Sequence, residues 1–430
     1  MNGIDIIAVF LSALFFLLMI GVPIAYGLLL VSAIMLLYIG NFSPQMLAQA
    51  VVFGANSFTL LAIPFFILAG EIMSAGSISK RIVTFVASLV GHVRGGLGYV
   101  VIIASTIFAG LSGSAVADAA ALGAILIPMM IQMGYDRATS VALVCASAMI
   151  APIIPPSVPL ILFGVSGQTS IGRLFMAGIV PGLIIALALM ILWYIMAKRN
   201  NYPVGERAKA SEVLTAFKDS IFALFMPFII VGGIRFGIFT PTEAGCIAVV
   251  YALFISIVIY REMDVKKIVN VLIQTSKTTG QVLLVAAAAM STAWVVTTAG
   301  LPQQVVVSMH DFTSTPTLLL VIIAVFLILL GMVMDSTPAI LIFAPIFMPL
   351  IKAAGIDPVY FGIVMVLDLM IGLLTPPVGT VLFVGCGVGN VRLGELVQKL
   401  WPFILVEYAV LFLFILVPDL ILVPMKWFMQ

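Results

Sequence analysis

Two pairs of adjacent prolines, Pro155-Pro156 and Pro376-Pro377, stand inside apolar stretches of a 430-residue chain, with hydroxyl residues close by. Proline has no amide hydrogen and its ring clashes with the carbonyl four residues earlier, so two in succession release several carbonyl oxygens from helical bonding. A freed carbonyl in an apolar medium needs a partner. A sodium ion, a hard cation that accepts neutral oxygens, can be that partner, aided by the hydroxyls of Ser112, Ser114, Ser157, Ser336, Thr337, Thr375 and Thr380. The half-helix N-termini beside such breaks carry positive dipole ends and suit an anionic substrate group. Other chemistry lacks its residues. The only histidines are His92 and His310, and Cys145, Cys246 and Cys386 are scattered in apolar segments without a CxxC pair, which reads as small apolar packing rather than metal or disulfide chemistry.

Four carboxylates in apolar surroundings, Glu71, Asp118, Asp335 and Asp368, raise a functional question, since insertion costs roughly 3 kcal/mol each. Asp335 sits in a short polar cluster and attracts most interest; it and Asp118 have the alternative role of capping a helix. Glu71 and Glu243 read as structurally paired. Arg235 and Lys352 are placed to meet an anionic substrate or, more simply, to anchor at the membrane interface.

The elements that must position these groups lie in lipid. Hydrophobic residues make up 63% of the chain, charged ones 8%, and the mean hydropathy is +1.30, too little polar surface for a water-soluble fold. A pass needs roughly 20 apolar residues, and the runs suggest about eleven to thirteen embedded segments. No basic leader precedes the first run, so a cleaved signal peptide is not expected.

The double prolines are 221 positions apart (155 to 376). The same offset pairs Gly110 with Gly331, Pro128 with Pro349, Gly134 with Gly355, Asp136 with Asp357, Gly164 with Gly385 and Pro181 with Pro402. This is a duplication. Each half reads as an arm, a long apolar stretch interrupted by small and polar residues, a helix broken at the double proline, and a further span. The interrupted stretches predict helical hairpins turning near mid-bilayer, 97–134 around Gly110–Asp118 and 317–355 around Gly331–Pro338. The broken helices are expected over 137–166 and 358–390. Residues 1–76 are scaffold helices, 77–95 the first arm, 96–181 the first core half, 182–300 further scaffold with the hydrophilic joint Lys198–Glu212, 301–315 the second arm, 316–400 the second core half and 401–430 a C-terminal helix.

The first arm carries Lys80, Arg81 and Arg94, whereas the second has no Lys or Arg and carries Asp311. Positive charge favours the cytoplasmic side, so the arms belong on opposite faces and the repeat is inverted. With both termini periplasmic and the interrupted stretches re-entrant, 15 of the 19 basic residues fall on the cytoplasmic side; Arg173, Arg235, Lys352 and Lys426 do not. The expected fold class is thus an all-α polytopic membrane protein of two inverted repeats, each with a re-entrant hairpin and a broken helix.

In Ala109–Asp118, Ile154-Pro155-Pro156-Ser157, Phe239-Thr240-Pro241-Thr242-Glu243-Ala244 and Gly372-Leu373-Leu374-Thr375-Pro376-Pro377-Val378-Gly379, the chain resembles the large membrane subunit of the tripartite ATP-independent periplasmic (TRAP) transporters over nearly its whole length. The resemblance implies an elevator-type carrier of the ion-transporter superfamily in the bacterial inner membrane, with sodium ions as coupling ions. It implies two partners, a small four-helix membrane subunit and a periplasmic substrate-binding protein, and an organic anion such as a C4-dicarboxylate or sialic acid as substrate. Because this chain starts directly with the large-subunit region, the small subunit is expected to be separate.

Carried over by motif, one sodium site involves Ser112, Gly113, Ser114, Pro155, Pro156 and Ser157. The other involves Gly331, Asp335, Ser336, Thr337, Thr375, Pro376, Val378, Gly379 and Thr380. The substrate path would pass Ser114, Asp118, Ser157, Thr337 and Thr380. An autonomous ion-coupled anion carrier without a binding protein is the alternative. An intramembrane enzyme lacks both a His-Glu metal motif and a histidine beside an apolar-segment serine, no ring of filter carbonyls suggests a channel, and no nucleic-acid partner is expected.

Overall fold

Apolar runs in lipid leave the backbone no water to bond, so its polar groups must be satisfied within helices. The computed structural model of the protein describes all residues except Met1, Asn2, Asn41, His310, Asp311, Thr313, Ser314 and Gln430. Asp311 of the expected second arm and His310 therefore lie outside the described residues. Among the described residues the chain is helical, with one isolated antiparallel bridge between Arg94 and Val204.

The N-terminal elements are α1 (Gly3–Met19), α2 (Ile24–Ile39), α3 (Pro44–Ala55) and α4 (Ala62–Ala75), the last led by a 3-10 turn over Phe58–Leu61. The first arm is α5 (Ile78–Val90), followed by α6 (Gly96–Ser112), α7 (Ala115–Gln132), α8 (Arg137–Ala148), α9 (Val158–Ser166) and α10 (Ile171–Arg199). Next come α11 (Ala210–Arg235), α12 (Pro241–Phe254), which continues as a π turn over Ile255–Ile259, and α13 (Val265–Thr298). The second half comprises α14 (Leu301–Ser308), α15 (Pro316–Gly331), α16 (Ser336–Ala353), α17 (Pro358–Gly372), α18 (Thr380–Gly389), α19 (Leu393–Leu416) and α20 (Asp419–Met429). Among the described residues, eight stretches are long and apolar enough to cross a membrane, and seven shorter apolar helices accompany them.

Both interrupted stretches fold as helix pairs, α6/α7 and α15/α16, and both double prolines break a helix, between α8 and α9 and between α17 and α18. The hairpin arms are 16 to 18 residues long, about 24–27 Å at helical rise. That is close to a full hydrocarbon thickness, so a tip at mid-bilayer requires strongly tilted arms. Two expected boundaries fall inside continuous helices. The one at 181/182 lies within α10 and the one at 400/401 within α19, where the single prolines Pro181 and Pro402 kink the helix without ending it. The expected C-terminal helix is two, parted at Val417-Pro418.

Duplicated positions repeat their local roles. Asp136 and Asp357 cap α8 and α17, accepting from Thr139 N at 2.9 Å and from Val359 N at 2.7 Å. Packing across the halves is reciprocal. α9 of the first half packs on α16 and α17, while α18 of the second packs on α7 and α8. Both double prolines are cis at the Pro–Pro bond.

The first arm is fastened at its start. The Glu262 carboxylate, in the turn after α12, accepts from Ser77 N at 2.8 Å, Ser77 Oγ at 2.5 Å and Arg81 Nη2 at 2.7 Å, while the Arg81 guanidinium lies 4.1 Å from the Tyr260 ring centroid. Partial burial pushes the Glu262 carboxyl up, but the Ser77 and Arg81 hydrogen bonds outweigh it and hold the group below its usual range. The joint between the halves folds back on the base of the first hairpin. Trp193 stacks on Tyr135 and Tyr202 at centroid distances of 6.2 and 5.3 Å, its Nε1 donates to Gly95 O at 2.8 Å, and Gly95 N donates to Pro203 O at 3.2 Å.

Candidate functional site

The first hairpin ends where α6 meets Gly113, whose φ of +61° only glycine adopts without strain. A second reason for glycine is space: a β-carbon there would run into the Pro156 carbonyl oxygen and lie 3.1 Å from Ser157 Cα. The tip and the first proline loop are thus in direct contact. Ser114 caps α7, its Oγ accepting from Ala117 N at 3.4 Å, and the Ser112 hydroxyl donates to Asp118 Oδ1 while accepting from Ser114 N at 3.3 Å. Asp118 is fully buried in the first turn of α7, where the helix dipole favours negative charge, and its second oxygen has no partner among the described residues. Asp118 is therefore a ligand of Ser112 rather than the cap; Ser114 takes that role.

In the first loop, Ser157 caps α9, accepting from Leu160 N at 3.2 Å and donating to Pro152 O at 2.5 Å. Among the described residues no N–H or O–H donates to the carbonyls of Pro155 or Pro156. Neighbouring glycines stand close to the loop: a β-carbon on Gly178 of α10 would strike the Ile153 carbonyl, and one on Gly110 of α6 would lie 3.7 Å from the Pro155 carbonyl oxygen and 2.8 Å from Pro227 of α11.

The second tip follows the same logic with different contacts. Asp335 is the cap of α16, accepting from Thr337 N at 3.2 Å and from Ser336 Oγ at 3.0 Å. Val378 N donates to Met332 O at 3.3 Å, joining the second loop to the tip. Gly331 lies against α17 back to back with Gly372, so that a β-carbon on Gly331 would be 3.0 Å from Gly372 Cα. Thr375 Oγ1 donates to Ile371 O at 2.8 Å and lies 3.1 Å from Tyr408 Oη. Gly379, at φ +51°, leads into α18, and the Thr380 Oγ1 atom that follows is buried without a partner among the described residues. The carbonyls of Thr375, Pro376 and Pro377 receive no donor from the described residues either.

The expected residues are therefore brought together in two places, each with a hairpin tip, a proline loop and unclaimed oxygens. α7, α9, α16 and α18 all begin at a tip or a loop, so four positive helix ends belong to the two constellations. The five substrate-path residues are not yet on an open path. Asp118 and Ser157 are fully buried, and none of the five lines the cavities of about 200, 740 and 580 Å³ found elsewhere in the protein.

Glu243 binds Thr240 in the capping box of α12, with Thr240 N donating at 2.7 Å, a structural role as expected. Glu71, expected to be paired, takes part in neither ion pair found among the described residues. Arg235 lies over Phe236 and Phe428 at 5.5 and 6.0 Å, an anchoring contact, and Lys352 occupies the last turn of α16. Arg173 pairs with Asp357 at 3.5 Å. Asp368 is buried with neither oxygen partnered among the described residues, and so is Glu407 of α19. Sequence reasoning passed over Glu407, although one carboxylate in the run Trp401–Leu416 carries the same signal as the four it selected.

Comparison with known proteins gives a consistent picture. The profile of the family described as "Tripartite ATP-independent periplasmic transporter, DctM component" matches residues 11–420. The 2,3-diketo-L-gulonate TRAP transporter large permease protein YiaN of Escherichia coli (strain K12) is 48% identical over 421 residues, spanning 98% of this chain and 99% of that protein. The sialic acid TRAP transporter large permease protein SiaM of Vibrio cholerae serotype O1 is 38% identical over 413 residues, spanning 96% and 97%. Among solved structures, the YdaH transporter of Alcanivorax borkumensis aligns with a TM-score of 0.64 over 86% of each chain at 14% identity, a likeness of fold alone.

Proposed function

Because the chain belongs to the DctM component, the large permease, of the tripartite ATP-independent periplasmic transporters, we propose that it is the transmembrane carrier of a sodium-coupled importer. It receives an organic acid anion from a periplasmic binding protein and moves it by an elevator motion, with a small four-helix subunit completing the scaffold. The observation that carries this reading is the pair of hairpin tips set against double-proline loops whose carbonyls receive no donor from the described residues. Oxygens of this kind suit sodium. The reciprocal packing of α9 on α16 and α18 on α7 supports two inverted repeats acting as one mobile core.

In this reading sodium is held by the first tip and loop at Ser112–Ser114 and Pro155–Ser157, and by the second at Gly331, Asp335–Thr337 and Thr375–Thr380. The anion lies between the two constellations, facing the dipole ends at Ser114, Ser157, Thr337 and Thr380. The basic side of the chain faces the cytoplasm of a bacterial inner membrane and both termini face the periplasm. The relatives' names, 2,3-diketo-L-gulonate and sialic acid, favour a carboxylate-bearing substrate.

Reconstitution in proteoliposomes tests the proposal. With the small subunit in the membrane and loaded binding protein outside, an inward sodium gradient should drive accumulation of the acid, and a potassium gradient should not. Accumulation without sodium refutes the coupling. Uptake of free acid at the same rate without binding protein refutes delivery and returns the autonomous carrier.

A further inference from the structure

The end of the first arm is flanked on both sides by grooves that are basic at one end and apolar along the rest. One, of about 580 Å³, lies between the α5–α6 corner and α10, where Arg94 and Lys198 stand with Tyr99 and Tyr194 beside Ile103 and Met190. The other, of about 740 Å³, lies between α5 and the start of α11. It sets His92 and Arg207 against Phe85 and Phe217, whose rings are 5.5 Å apart.

Neither groove is lined by an aspartate or glutamate. Arg94 spends one hydrogen bond, at 3.2 Å, on the neutral Asn201 side chain, and neither Lys198 nor Arg207 has a carboxylate partner among the described residues. His92 Nδ1 is shielded from solvent and makes no hydrogen bond to a described residue. The apolar part is open: Leu89 is 44% and Leu214 53% exposed.

A water-soluble anion would use the cations and leave the apolar walls wet. An apolar helix would cover the walls and bury cations without acceptors, which is costly. One chemical class answers both halves, an anionic phosphate with alkyl chains attached. Tyrosine beside lysine or arginine is also the side-chain mixture that settles at headgroup depth.

We infer that the two grooves bind anionic phospholipid, the phosphate at Arg94/Lys198 and at His92/Arg207 and the acyl chains along Ile103/Met190 and Phe85/Phe217. Lipid bound there braces the far end of the arm from both sides, opposite the end that Glu262 fastens.

Native mass spectrometry of the full chain, purified in detergent and incubated with phosphatidylglycerol or phosphatidylcholine, tests this. Phosphatidylglycerol should be retained several-fold over phosphatidylcholine, and the Arg94→Gln/Lys198→Gln/Arg207→Gln variant should lose retention by at least about tenfold. Met190→Trp, which fills the first groove and keeps every cation, should lower retention as well. A Lys266→Gln/Lys267→Gln control, with charges removed elsewhere, should retain lipid as the unaltered chain does. Equal retention of the two lipids overturns the inference, as does undiminished retention in the triple variant with an unchanged melting temperature. The same measurement on chain co-purified with its small membrane subunit should still find the lipid; its displacement would make the grooves a protein interface and overturn the inference too.

Discussion

Replacing Gly113 by alanine, beside the same change at Gly134, isolates the contact between the first hairpin tip and its proline loop. Both glycines have positive φ, +61° and +86°, so each alanine carries a left-handed backbone strain of about 1–2 kcal/mol. Their surroundings differ. A β-carbon on Gly134 meets nothing within 4 Å, whereas one on Gly113 runs into the Pro156 carbonyl. Tip and loop must part by roughly an ångström to restore an ordinary carbon–oxygen contact, an overpacking cost of about 1–3 kcal/mol. Gly113→Ala is therefore expected to cost about 2–5 kcal/mol and Gly134→Ala about 1–2 kcal/mol. Thermal unfolding read by the reactivity of the buried Cys145 thiol gives the stabilities. Uptake in proteoliposomes gives the sodium concentration for half-maximal rate, expected to rise about tenfold or more for Gly113→Ala, since an ångström of misplacement degrades any tightly positioned site. Gly134→Ala should leave it within about twofold. Equal stability losses for the two variants, or an unaltered sodium dependence in a transport-competent Gly113→Ala protein, would refute the reasoning.

Three further outcomes follow from other contacts. Glu262→Gln should destabilise by roughly 1–3 kcal/mol at neutral pH, because it weakens hydrogen bonds to a charged acceptor. The folded carboxyl is held below its usual value, so its contribution is present above the unfolded pKa and lost as pH falls through the folded one. Melting temperatures of the two proteins should thus run apart at pH 6–8 and converge below about pH 4; a gap that widens on acidification would contradict the assignment. Gly372→Ala forces apart the Gly331–Gly372 contact and should lower the melting temperature markedly, while Gly387→Ala, in the same half and with nothing within 4 Å, should be neutral or stabilising by up to about 1 kcal/mol. Ser112→Ala should cost about 1–3 kcal/mol by stranding Asp118 Oδ1, and adding Asp118→Ala should cost less than the sum of the single changes; strict additivity in the double-mutant cycle would show that the two do not act as a pair.

Much of the frame was readable because its signals are local. Proline pairs break a helix wherever they fall and aspartate before a helical run caps it: Pro155-Pro156 and Pro376-Pro377 part α8 from α9 and α17 from α18, and Asp136 and Asp357 cap α8 and α17. The lone prolines Pro181 and Pro402 stand inside α10 and α19, absorbed by the packing around a long helix. Residue roles at the tips required tertiary geometry. Asp118 was read as a possible cap, and only the fold gives that role to Ser114, four residues earlier, and turns Asp118 toward Ser112. Likewise Gly113 touching Pro156, Gly331 touching Gly372 and Val378 bonding Met332 join segments about 40 residues apart, and no periodicity records such pairs. Glu407 is a different case: its signal was present in the sequence and was passed over.

The stack of Tyr135, Trp193 and Tyr202 places an indole at the seam between the base of the first hairpin, α10 and the joint of the two halves. Of the four tryptophans, Trp193 alone is fully buried; Trp401 and Trp427 are 47% and 67% exposed. Its emission is consequently an intrinsic optical gauge of that seam. Any stroke that slides the hairpin base along α10 must unstack the ring or carry its neighbours with it, and so becomes visible in the fluorescence of the unlabelled protein.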